Sequence, residues 1–157
     1  MKMRNLLIIL IVMLVVTGCG NNNVKLDLEK ISTDLNSLEI KENGESIKLF
    51  KNSSKMTMEM LEDKYGMNTS VFDEILVSTS ENLDTSSMYA IFLPKETEIA
   101  KAEAEMKTFF EKYDQAWIMG YFPEEEKLVK NRLEEKYGNY YIYIISKDNE
   151  TALKKIK

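Results

Sequence analysis

Cys19 is the one cysteine of the chain, and there is no histidine. These two facts decide most of what the side chains can do. Without imidazole there is no His-based general acid–base pair, no Ser–His–Asp or Cys–His nucleophile, and no zinc or copper site built on histidine. A single cysteine forms no internal disulfide, so stability must come from packing. Ser32, Ser46 and Ser70 lack a lysine three residues on, which removes the S-x-x-K nucleophile pattern. Catalysis here would have to rest on carboxylates, lysine or tyrosine.

Each remaining candidate has a plainer explanation. Glu124, Glu125 and Glu126, like Glu134 and Glu135, are dense carboxylates. They lack the glycine-bearing loop spacing of a calcium site and read as first-turn helix charges and a solvated face. Asp73 with Glu74, or Asp148 with Glu150, could pair as glycosidase acids, but any acidic surface offers such pairs. Met56, Met58 and Met60 offer soft thioethers suited to Cu(I). On a helix Met56 and Met60 would share a face while Met58 points away, so flexible packing is the better reading and no metal or cofactor is expected. Trp117, Tyr141 and Tyr143 are the candidate binding face. Tyr141 and Tyr143 alternate onto one side of a strand, where exposed aromatics could take a peptide or glycan. The competing expectation is that helix or loop covers that side.

The amino terminus carries the strongest functional signal. Lys2 and Arg4 precede an unbroken apolar run at residues 6–16, then Thr17-Gly18-Cys19-Gly20 and three asparagines. A basic start, an eleven-residue apolar run and small residues at its end have the layout of a secretory signal. A spanning helix needs ~20 apolar residues. Val16-Thr17-Gly18-Cys19 resembles the lipobox of bacterial lipoproteins. That resemblance implies cleavage between Gly18 and Cys19 and a diacylglycerol thioether on Cys19. Residues 1–18 are then a signal peptide and residues 19–26 a polar tether. A single domain follows at residues 27–157, anchored at the extracytoplasmic face of the cell membrane.

The whole chain has a net charge of −5, and the first eighteen residues hold two basic groups and no acid. An acidic surface repels phosphate backbones, so no nucleic-acid partner is expected. It also keeps the body off an anionic membrane and leaves tethering to the lipid.

The elements that must position these residues follow from periodicity. Leu28, Ile31, Leu35 and Leu38 form a helical stripe that Asp27 can cap. Residues 40–54 read as a loop around a short strand at 46–50. Thr57 caps a helix that stops at Gly66. Residues 74–80 and 87–93 predict a hairpin with a loop of at most six residues. Ile99, Ala102, Met106, Phe109, Tyr113 and Trp117 mark a long helix over 97–117. Pro123 opens a short helix. Gly138-Asn139 is a two-residue turn between strands 132–137 and 140–146. Asn149 should cap a last helix with Ala152, Leu153 and Ile156 inward. The order α, α, β, β, α, α, β, β, α predicts an α+β domain. Its sheet would be mostly antiparallel, four-stranded, built from two hairpins, with helices on one face.

Residues 89–157 also resemble the clostridial-type lipoprotein family catalogued as domain of unknown function 4358. The shared features are Glu98-Ile99-Ala100-Lys101 after a strand, a helix ending near Trp117 and Tyr121, and Pro123 with Lys127-Leu128-Val129. Tyr137-Gly138-Asn139-Tyr140 and the strand ending Ile145-Ser146 before Asp148 complete the match. The family carries no established activity, so the resemblance implies location and transfers no catalytic residue. The expected function is non-enzymatic: a domain that binds a component of the cell surface, such as an envelope protein, or steadies an envelope assembly, with a peptide- or glycan-binding module as the alternative and a carboxylate-based wall hydrolase third.

Overall fold

The computed structural model describes residues 24–81, 85–117 and 121–157. Helix α1 (Leu28–Asn36) starts where the Asp27 side chain accepts the Lys30 N–H. Strands β1 (Glu39–Glu42) and β2 (Glu45–Lys48) pair only with each other. Their turn places Asn43 at φ 53° and Gly44 at φ 88°, the two positive values a type I′ hairpin requires. Strand β3 (Ser53–Lys55) leads into α2 (Met58–Tyr65), capped by Thr57 and closed by Gly66 at φ 64°, as expected. Strands β4 (Phe72–Ser80) and β5 (Met88–Pro94) precede the long helix α3 (Ile99–Trp117). Helix α4 (Pro123–Lys130), strands β6 (Leu133–Tyr137) and β7 (Tyr140–Ile145), and helix α5 (Asn149–Ile156) complete the chain.

The α+β class holds, and several features differ from expectation. The main sheet has five strands, in the order β3-β4-β5-β7-β6, with every pairing antiparallel. The two expected hairpins do join, through β5 and β7, but β3 adds a fifth strand along β4. Helices also cover both faces rather than one. Met88, Ala90 and Phe92 of β5 pack with α2, α3 and α4, whereas Tyr89 and Ile91 pack with α1 and α5. The reason is in β5 and β7 themselves. Both are apolar on alternate residues of each face, and burying each large side chain contributes roughly 1.5–3 kcal/mol, so neither face can be left wet. Finally, Asp148 rather than Asn149 caps α5, accepting from the Thr151 N–H and hydroxyl.

The packed body also begins earlier than Asp27. Val24 and Leu26 already lie against the second core, and the Leu26 N–H reaches the Tyr140 hydroxyl. Tyr140 in turn donates to Glu74, near the start of β4. The described chain therefore comes in at one end of the sheet, beside the β6–β7 turn. Helix α3 starts at that near end and runs 19 residues away from it, about 28 Å at 1.5 Å per residue.

Candidate functional site

Helix α3 delivers Trp117 to the far end of the sheet, where the residues before β5 and the start of α4 meet it. Glu125, in the first turn of α4, accepts from the Ser86 N–H at 2.5 Å, the Ser86 hydroxyl at 2.8 Å and the Thr85 hydroxyl at 3.2 Å. Tyr113 of α3 donates to the Ser86 carbonyl at 2.9 Å. Burial pushes the Tyr113 hydroxyl well above its ordinary value, so it remains a donor. One carboxylate and one phenol thus hold three segments together. The result is a braced end: every polar atom named is satisfied by its neighbours.

On this frame sit exposed apolar side chains. Tyr121 is 79% exposed and Phe122 54% exposed, while Trp117, 6.2 Å from the Phe122 ring, is only 4% exposed. Met58 and Met60 are about half exposed on the first turn of α2. That turn starts beside Val77, in the far half of β4, because the Met56 N–H bonds the Val77 carbonyl. Met56 itself is buried, so the methionine triplet splits between core and surface and does not converge.

The aromatic face expected around Tyr141 and Tyr143 forms beneath α3. Tyr143 packs 4.4 Å from the Phe110 ring and 6.0 Å from Phe92, and burial pushes its hydroxyl up to about 12. Tyr141 donates to Glu103 at 2.7 Å and accepts from Lys136, whose ammonium lies 4.6 Å from the ring centre. Trp117 belongs to the same core, seven residues beyond Phe110 along α3. The three side chains are therefore packing groups in one layer and do not form an open platform. Tyr141 reaches a groove of about 320 Å³ at the near end with Leu93, Pro94, Ile99 and Asn139, and Tyr143 edges a second, of about 290 Å³, with Phe110, Asp114 and Arg132.

The carboxylates are dispersed. Asp73 opens onto that groove, whereas Glu74 binds Tyr140 and lines a different depression. Asp148 is held below the usual carboxylate range by the Thr151 N–H, which fits a cap. Among the described residues no three acidic, cysteine or histidine side chains gather as metal ligands. Gly18 and Cys19 lie outside the described residues.

Two features escaped sequence reasoning. The Glu125–Ser86 link left no trace in spacing. Arg132 left one: it is the only arginine after residue 4 in a lysine-rich chain. Its guanidinium sits 4.2 Å over the Phe110 ring and pairs with Asp114 at 2.8 Å and Glu134 at 3.0 Å. A planar, delocalised cation can stack and pair at once, which an ammonium does less well. Burial raises the Asp114 carboxyl despite Arg132, and through Asp114 and Glu134 the guanidinium ties α3 to β6.

Residues 45–146 match the family described as Domain of unknown function (DUF4358). No curated protein and no solved structure matches the chain. The matched stretch begins with β2 and ends one residue past β7, and so contains the whole five-stranded sheet and the α2–α3–α4 layer. It covers more than half of the chain, which therefore belongs to this family.

Proposed function

We propose that this chain is a lipoprotein, held by lipid on Cys19 at the extracytoplasmic face of the cell membrane, whose domain binds an envelope protein without catalysing a reaction. The observation that carries the binding role is the placement of exposed apolar groups. Tyr121 and Phe122 stand at the end of the sheet opposite Leu26, where the tether joins the body. Large exposed aromatics on a rigid support are characteristic of binding surfaces, because little side-chain freedom is lost on contact. The anchor reading is supported by the signal layout and by Val16-Thr17-Gly18-Cys19.

Cys19→Ala should abolish labelling by a fatty-acid probe and move the protein out of the membrane fraction. Retention of the variant on membranes defeats the anchor. For the binding role, a photo-crosslinker placed at Tyr121 in intact cells should capture one dominant envelope protein. Phe122→Ser should reduce that capture while leaving the melting temperature within a few degrees. Undiminished capture would remove the far end from the interface. The groove beside Tyr141 supports the second reading, a peptide or glycan ligand, because ~300 Å³ is the lower end of ligand-site volumes. Titration with wall peptides and glycan fragments should then shift Tyr141 resonances and spare those of Phe122.

A further inference from the structure

We propose that β6 is a self-recognising edge, through which two copies of this chain pair antiparallel around Glu135 and merge their sheets into one of ten strands. The order β3-β4-β5-β7-β6 leaves two edges. Strand β3 is three residues long, too short for a ladder, whereas β6 has five. Among the described residues no strand pairs the outer side of β6.

The turn fixes which groups face outward. Tyr137 pairs Tyr140 across the two-residue turn, so that pair is the hydrogen-bonded one. Alternation then directs the N–H and C=O of Tyr137, Glu135 and Leu133 toward β7. It leaves those of Glu134 and Lys136 aimed at open space. A second β6 must meet them with its own outward groups, and the register centred on Glu135 does so. It sets Glu134 opposite Lys136 of the other copy twice, and Leu133 opposite Tyr137 twice. Four backbone hydrogen bonds form between the outward pairs.

The side chains agree with that register. Charged residues on an edge ordinarily deter pairing. Here the opposite charges lie one residue either side of the centre, so the same device becomes self-complementary. Both strands keep their faces: Glu134 and Lys136 alternate with half-buried Leu133, Glu135 and Tyr137. Leu133 and Tyr137 belong to the edge of the second core and would gain cover from each other. The one like-charge contact, Glu135 against Glu135, is offset because Lys157 pairs each carboxylate at 2.6 Å. The far ends that carry Tyr121 and Phe122 are left free, so this inference stands independently of the proposed binding role.

The test uses the full chain in membranes and in mild detergent. Residues facing each other in a non-hydrogen-bonded antiparallel pair have Cα atoms ~4.5 Å apart, within the range a disulfide spans. Glu135→Cys should therefore yield a disulfide-linked dimer under mild oxidation, joined through the two introduced thiols. Peptide mapping against the parent, which has Cys19 alone, identifies the linkage. In sedimentation the parent should show a concentration-dependent dimer. Glu134→Lys should weaken it roughly tenfold, since two attractive pairs become repulsive. Glu134→Lys combined with Lys136→Glu should restore it, because the swapped charges again match. The proposal is overturned if the parent sediments as a monomer at every concentration reached. It is equally overturned if the double variant stays as weak as the single one, or if the thiol introduced by Glu135→Cys links to a different protein in place of its own copy.

Discussion

Tyr143 shows how one strand residue can be polar in name and core in practice. Its ring fills the space between Phe92 and Phe110, and its hydroxyl reaches only the Met106 sulfur at 3.8 Å. Burial raises the hydroxyl from 10.0 to about 12, so the folded state favours the neutral form. Its contribution to stability is complete below pH 10 and is lost as pH rises from 10 toward 12. Tyr143→Phe should thus lose less stability over that interval than the parent, as measured by urea unfolding at stepped pH. Equal losses would mean that the ring is wetter than its packing indicates. At this scale, sequence legibility depends on whether competing side chains are equivalent. Asp148 and Asn149 are both good caps, and nothing local separates them. The choice follows from the long-range bond that Asn149 donates to the Asn131 carbonyl, together with a local one it accepts from the Ser146 hydroxyl, which leaves Asp148 to cap.

Elements with strong periodicity and punctuation were readable in advance. Thr57 and Gly66 delimit α2, and Gly138-Asn139 delimits β6 and β7, because caps and turns are decided by neighbouring residues. Strand β3 was not readable. Ser53-Ser54-Lys55 has no β propensity worth the name and is a strand only because β4 offers it an edge. The β1–β2 hairpin has no fully buried residue, only a half-buried side at Ile40 and Ile47, which gives weak alternation, although Asn43-Gly44 is a usable turn signal. Helix α1 was readable as a helix but not as the cover of a second face. That role depends on Tyr89, which is fully buried and whose hydroxyl contacts Ser32 at 3.1 Å and Asn36 at 2.9 Å. Tyr89→Phe keeps the ring and removes this link between α1 and β5. A loss of about 0.5–1.5 kcal/mol is expected, with faster amide exchange in α1 than in α3. Unchanged exchange in α1 would show that Ile31 and Leu35 alone hold the helix.

At the scale of the whole molecule, the two cores lie on opposite faces of β4, β5 and β7, with β5 the central strand shared by both. Met88, Ala90 and Phe92 of β5 belong to the first, and Tyr89 and Ile91 to the second, so neither layer can open without disturbing the backbone of the other. The sequence-level picture of helices on one face missed this, although the apolar alternation on both sides of β7 already required two covers. Cooperativity follows from the shared strand. Trp117 is the single tryptophan and lies in the first core, whereas Leu35 is fully buried in the second. Leu35→Ala should cost roughly 2–5 kcal/mol through lost contact and residual cavity. If β5 couples the layers, Trp117 fluorescence should report the full loss, with a melting temperature lowered on the order of 10 °C and a single transition. A Trp117 transition that stays in place while far-ultraviolet dichroism shows early loss of helix would mean that α1 and α5 form a separately melting layer. The family match, which spans the sheet but excludes both of those helices, would then mark a real division in stability and not merely a boundary in sequence.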